Sequence, residues 1–251
     1  MAESHLALLG TGDAESMHYW NNNALVRTPE ANILIDCGFT IKYALATIGL
    51  TLRQIDGVFI THIHGDHVHG LERLGFEARY LYQFRPKLYL ESDLYHLLWD
   101  QCLAGSMADT SNGPSYLEDF FDVHLISDHQ FNVAGCQFRT FPTLHTIGKP
   151  SYGIILNEQL MFTSDTTPLP NLANFFPTGL IIHDVCLNAT NPVHATLQQL
   201  LLQYPPALRQ RMLLIHYGDT IELYRTLIER EFHGVAYQGQ IFPLKCNTCN
   251  I

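Results

Sequence analysis

Short apolar runs recur along this chain, and several end on a polar residue that could bind a metal. Leu6-Ala7-Leu8-Leu9 and Ile33-Leu34-Ile35 read as buried strands, the second running into Asp36-Cys37-Gly38. Thr40 to Ile48 has helical spacing and stops near Gly49. Gly57-Val58-Phe59-Ile60 predicts a strand, followed by a helix from about His67 into the region of Arg79 to Phe84. Lys87 to Leu90 reads as a short strand and Asp93 to Cys102 as helix. Residues 103 to 119, rich in Ser, Asn, Gly, Pro and acids, read as a mobile loop. Strands dominate from Val123 to Phe162. Gly179 to His183 is a further strand, His194 to Tyr204 a helix, Met212 to Ile215 a strand and Asp219 to Arg230 a helix. Strands gathered in two halves with helices between them predict an α/β chain with two sheets flanked by helices. No repeat and no Pro- or Gly-rich hinge divides the chain, so one domain over residues 1–251 is expected.

An apolar fraction of 47% suits a sizeable core, and no stretch approaches the length of a membrane span. The N-terminus lacks a basic region and a small-residue cleavage site, which predicts a cytoplasmic protein without a membrane partner. Six cysteines are scattered too thinly for a disulfide scaffold. Cys246 and Cys249 form an isolated C-x-x-C, read as a tail with two ordinary thiols. The net charge of −10 argues against a broad basic surface for long nucleic acids. It leaves room for a small phosphate-bearing ligand, because bound dications invert the local field.

The densest chemistry follows the strand at Gly57. In Thr61-His62-Ile63-His64-Gly65-Asp66-His67, three imidazoles and one carboxylate fall within six residues. In extended chain His62 and His64 share a face, while Asp66 and His67 sit where the chain turns and can face a second point. Imidazole and carboxylate are the usual ligands of zinc and similar ions. His145, Asp165 and His216 each follow another short apolar strand, the edge at which α/β proteins place their sites.

This pattern resembles the metallo-β-lactamase superfamily over nearly the whole chain. Its H-x-H-x-D-H motif matches His62, His64, Asp66 and His67, and the later single His, Asp and His match His145, Asp165 and His216. The resemblance implies an αββα sandwich with a dinuclear metal centre at one edge. His62, His64 and His145 would hold one ion and Asp66, His67 and His216 the other, with Asp165 bridging. Zn2+ is the first expectation, with Mn2+ or Fe as alternatives.

Within that superfamily, Leu8-Leu9-Gly10-Thr11-Gly12 and Leu34-Ile35-Asp36-Cys37-Gly38 are similar to the opening motifs of the ribonuclease Z-like phosphodiesterases. Ile181-Ile182-His183-Asp184-Val185-Cys186 and His194-Ala195-Thr196 resemble that branch's His-Glu-Ala-Thr and His-Ser-Thr motifs, with Asp184 in place of Glu and Ala195 in place of Ser. The resemblance makes His194 a contact of the scissile phosphate and Asp184 the acid that orients it. The tRNA-processing members carry a long Gly- and Pro-rich arm between the third histidine and the bridging aspartate. Here 19 residues separate His145 from Asp165. Compact members include cyclic-nucleotide phosphodiesterases, among them phage enzymes that destroy cyclic-nucleotide immune signals, and are commonly homodimers.

The expected activity is therefore hydrolysis of a small phosphodiester, first of all a cyclic nucleotide, by a homodimeric enzyme. Two ions would lower the pKa of a shared water so that hydroxide exists near neutral pH, and would offset charge developing on phosphorus. Asp66 would orient the nucleophile or accept its proton, and His194, oriented by Asp184, would stabilise the transition state or protonate the leaving alkoxide. A tRNA 3′-processing endoribonuclease and a thioester or lactone hydrolase are the alternatives, since the fold alone leaves the reaction open. The aromatics of His18-Tyr19-Trp20 and of Tyr80 to Phe84 suit base stacking less well than core capping or a subunit interface.

Overall fold

A computed structural model describes residues 4–245 of the chain, so Cys246 and Cys249 lie outside the described residues. Five strands come first: β1 (His5–Leu8), β2 (Ala24–Arg27), β3 (Asn32–Ile35), β4 (Gly57–Phe59) and β5 (Lys87–Glu91). A small ladder of β6 (Asp109–Thr110) and β7 (Gly113–Pro114) follows. Then come β8 (Asp122–Ile126), β9 (Gln130–Val133), β10 (Cys136–Pro142), β11 (Tyr152–Leu156) and β12 (Leu160–Phe162). The last four are β13 (Leu180–Asp184), β14 (Met212–Ile215), β15 (Gly234–Val235) and β16 (Ile241–Pro243). They form two seven-stranded mixed sheets, ordered β16-β1-β2-β3-β4-β5-β8 and β15-β14-β13-β12-β11-β10-β9.

Side-chain alternation decides how the sheets stack. In the second sheet Ile154, Leu156, Leu160, Phe162, Ile182, Leu213 and Ile215 face a core shared with Leu6, Leu8, Ile33 and Phe59 of the first. Their immediate neighbours Ile155, Met161, Ile181, Met212 and Leu214 face the other way, onto Leu197, Leu200 and Ile228 of covering helices. A strand's period of two thus feeds two apolar layers, which is why these strands read as unbroken apolar runs. Burial of such side chains is the main source of stability, about 1.5–3 kcal/mol for each large one.

Parallel pairing brings chain ends to one edge. β3, β4 and β5 run parallel to one another, as do β12, β13 and β14. The carboxyl ends of both groups carry Asp36, the His62–His67 segment, Asp165, Asp184 and His216. Asp36, Ser164 and His216 adopt left-handed φ values of 63°, 53° and 63°. Non-glycine residues enter that region at a cost and tend to cluster at functional sites.

Several expected elements are corrected. The helix running from His67 to Phe84 is three pieces, Gly65–Val68, Leu71–Phe76 and a π-helical stretch Glu77–Tyr82. Residues 103–119 are ordered into the helix Ala104–Met107, the β6–β7 ladder and the helix Leu117–Phe120, which bury Met107, Leu117 and Phe120. The helix expected from His194 begins at Leu197, because Thr196 and Gln199 form a capping box that fixes its start. His194 therefore sits in the preceding loop. The strands β2, β15 and β16 had no counterpart in the apolar pattern as read.

Candidate metal centre

Each expected ligand side chain reaches the common edge from a different connection. β4 delivers the loop Ile60–His64 and the turn of helix Gly65–Val68, on which Asp66 and His67 lie. Gly38 permits this approach: a Cβ there would fall 1.8 Å from the Asp66 carbonyl oxygen. β10, β12 and β14 bring His145, Asp165 and His216.

Two donor clusters form. In one, His64 Nδ1 lies 3.2 Å from His62 Nε2 and 2.9 Å from His145 Nε2. In the other, Asp66 Oδ2 lies 3.2 Å from His67 Nε2 and 3.5 Å from His216 Nε2. Asp165 Oδ2 belongs to both, at 3.6 and 3.8 Å from Nε2 of His62 and His145 and at 3.3 and 3.4 Å from Nε2 of His67 and His216. Tetrahedral donors about 2.0–2.1 Å from a zinc ion stand about 3.3–3.4 Å apart, so these separations fit a divalent ion in each cluster. His67 Nε2, His216 Nε2 and Asp165 Oδ1 are buried without a hydrogen-bond partner, the condition a bound cation relieves.

The ring nitrogens pointing away from the clusters are also held. Thr61 Oγ1 gives its proton to Asp36 Oδ2 at 2.8 Å and so accepts from His62 Nδ1 at 3.0 Å. Thr146 Oγ1 meets His64 Nε2 at 3.3 Å, and the Val193 carbonyl accepts from His145 Nδ1 at 2.8 Å. Asp36 Oδ2 lies 2.7 Å from His67 Nδ1, and Asp184 Oδ1 3.3 Å from His216 Nδ1. Such hydrogen bonds orient the rings of His62, His64, His145 and His67 so that the other nitrogen faces its cluster, and the Asp184 carboxylate pairs with His216. Asp36, Thr61 and Thr146 were not among the predicted site residues. In the sequence Asp36 figures only as the strand-end residue of the Leu34–Gly38 motif, with no role attached.

Burial, with help from neighbouring imidazoles, pulls His62, His64 and His145 below the usual histidine range, leaving them neutral. Burial acts the same way on His67 and His216, but the surrounding carboxylates, Asp165 foremost, outweigh it and push both up. Burial tends to raise Asp165, yet His216, His67 and His62 hold it well below the carboxylate range. This dense negative charge is what a dication would neutralise.

A cleft of about 580 Å³ opens beside the clusters, walled by Asp13, Glu15, Asp66, Asn191, His194 and His216 among others. His194 Nδ1 lies 2.8 Å from Asp184 Oδ2, and its ring stacks on His216 with centroids 4.8 Å apart. Burial depresses His194 and Asp184 more than offsets it, so its pKa is raised. The shorter Asp184 side chain thus still reaches His194. Tyr19 and Trp20 do not line the cleft. They pack on Tyr217 and Tyr43, and His18 pairs with Asp219. Tyr80 stacks on Phe76 beneath Arg79, also outside the lining. None of the described helices is long and apolar enough to cross a membrane.

A family model described as Anti-Pycsar protein Apyc1 matches residues 4–242. An anti-Pycsar protein Apyc1 of Paenibacillus sp. (strain J14) is 38% identical over 226 residues, covering 88% of this chain and 91% of that one. Another, of Saccharibacillus brassicae, is 38% identical over 248 residues, covering 96% and 100%. The crystal structure of a new diphosphatase from the PhnP family matches with a TM-score of 0.77 at 16% identity, over 97% of this chain and 98% of that one, which bears on the fold alone. The chain is a metal-dependent hydrolase of the metallo-β-lactamase fold, and it belongs to the anti-Pycsar protein Apyc1 family.

Proposed function

We propose that the chain is a phosphodiesterase that opens the phosphate ring of a cyclic nucleotide at a centre of two divalent ions. The observation that carries this reading is the convergence of four imidazole nitrogens on one carboxylate oxygen of Asp165, beside an open cleft. His62, His64 and His145 would hold one ion, Asp66, His67 and His216 the other, and Asp165 both. The imidazole-rich donor set and its tetrahedral spacing favour zinc. Bound there, two dications would make hydroxide available near neutral pH and offset phosphodiester charge.

The remaining work falls to side chains. Asp66, on the cleft wall, orients the attacking water. Asp184 accepts a hydrogen bond from His194 Nδ1–H and so leaves Nε2 to act on the substrate. One P–O bond forms to the water oxygen, whose proton passes to solvent, one P–O bond to the ribose breaks, and His194 protonates the freed ribose oxygen. Asp184, acting through His194, is a positioning residue. Membership in the anti-Pycsar family supports phosphodiester chemistry over thioester or lactone hydrolysis.

Substrate size follows from the interval between His145 and Asp165. It holds a short loop and the β11–β12 hairpin, with no arm to grip a folded RNA. The test compares kcat/KM on cyclic mononucleotides, precursor tRNA, a thioester and a lactone, with metal content measured alongside. Cyclic nucleotides should exceed precursor tRNA at least about tenfold, a ratio that needs only about 1.4 kcal/mol of differential transition-state binding. Efficient 3′ cleavage of precursor tRNA without cyclic-nucleotide turnover would restore the processing nuclease.

A further inference from the structure

We propose that Asn191 is a positioning residue whose side-chain oxygen sets the proton donor His194 and the metal ligand His145 together. The part concerning His194 rests on the phosphodiesterase reading above; the part concerning His145 needs only a metal site.

Between β13 and the helix Leu197–Gln203 the chain makes an excursion with no regular structure. Its ends are strapped. Cys186 N–H donates to the Ala195 carbonyl at 2.7 Å, and Leu197 N–H donates to the Cys186 carbonyl at 3.0 Å. Within the excursion, Asn191 supplies the side-chain contacts that hold Val193 and His194, two and three residues further on. Its Oδ1 accepts from Val193 N–H and from His194 N–H, both at 2.9 Å, while its Nδ2 reaches Cys186 Sγ at 3.4 Å. An amide oxygen has two lone pairs, and an asparagine that folds its chain onto itself uses them in this way.

The residues so fixed carry two functions. The Val193 carbonyl accepts from His145 Nδ1 at 2.8 Å, which leaves Nε2 facing His64 and Asp165. His194, one residue on, places Nδ1 2.8 Å from Asp184. Any rotation of the Val193–His194 segment therefore turns a ligand and misplaces a proton donor at once. Asn191 is half-buried in a loop whose two ends are tied without it, so its replacement leaves the fold in place.

Three variants and three readouts separate this role from a merely structural one. Asn191→Leu keeps the size and removes the acceptor, Asn191→Ala removes both, and Asn191→Asp keeps an acceptor oxygen at the same place. In Asn191→Leu and Asn191→Ala, kcat on a cyclic nucleotide should fall about 10- to 100-fold, the usual effect of losing a group that orients a ligand, with KM within about twofold. On bis(p-nitrophenyl) phosphate, whose leaving group departs without a proton, the loss should be several-fold smaller. In competition with a chromogenic chelator, both variants should release zinc about tenfold more readily. Asn191→Asp should stay within about threefold of the parent in all three readouts. Parental kcat and zinc retention in Asn191→Leu would overturn the proposal, as would an Asp variant as impaired as the Leu variant. Should the parent protein turn over neither phosphodiester, the functional reading fails, and the chelator competition still decides whether Asn191 holds His145.

Discussion

The two donor clusters share Asp165 but are backed by opposite chemistry. Behind His62, His64 and His145 stand two hydroxyls and a backbone carbonyl, from Thr61, Thr146 and Val193. Behind His67 and His216 stand the buried carboxylates of Asp36 and Asp184, and Asp66 adds a third among the donors themselves. His64 is also partly exposed, whereas every donor of the second cluster is buried. A carboxylate behind an imidazole makes it a stronger base and a tighter ligand, and adds negative charge where a dication sits. The second cluster should therefore bind its ion more firmly, and the first should exchange with solvent.

The largest effect is expected where the clusters meet. Asp165→Ala should abolish hydrolysis and weaken both sites, while the metal-free protein unfolds close to the parent's melting temperature, because the ligands line an edge of a formed core. His62→Ala should abolish hydrolysis but leave one ion per chain. Full activity of either variant at limiting zinc, with ions counted by plasma emission, would remove these residues from the centre.

Next in size is His194→Ala. A drop of about 100- to 10,000-fold in kcat, the range for a lost general acid, should come with two ions still bound. Loss of an ion with the activity would instead make His194 a ligand.

The contrast itself is sharpened by outer partners. Asp36→Asn should weaken the second site about 10- to 100-fold. Thr146→Val, which removes only a hydroxyl beside a partly exposed ring, should weaken the first by less than about threefold. Equal losses by isothermal titration would erase the asymmetry.

The smallest expected change is a shift of pH profile. Burial lowers the His194 pKa, but the Asp184 carboxylate more than offsets it, so the protonated donor persists to higher pH than an ordinary histidine allows. The rate should fall as pH rises through that raised pKa. Asp184→Asn removes the charge, so the fall should begin at lower pH. A basic limb unchanged in Asp184→Asn, at constant metal content, would assign that limb to another group.

The ligands were legible in the sequence because each follows a short apolar strand, and strand ends converge where strands run parallel. His62, His64, Asp66 and His67 carried the signal in one segment. Which residue supports which ligand was not legible. Asp36 meets His67 across 31 positions, and Thr146 meets His64 across 82, through pairings that only the folded sheets create. The start of the helix at Leu197 was readable from Thr196 and Gln199, a capping box, but the apolar spacing from His194 masked it. Residues 103–119 look like a loop because their apolar residues are sparse, yet Met107 and Leu117 are buried against the first sheet's core. β2 was passed over because its four residues end in an arginine and follow three asparagines.

A graded chelator titration of the zinc-loaded protein, following ions per chain and cyclic-nucleotide hydrolysis on the same samples, tests the central claim most directly. Two unequal ions acting together predict two ions per chain at the start. The more weakly held should leave first, and activity should fall to the background with that first ion. A single ion per chain at full activity, or two ions with no phosphodiester turnover, would contradict it.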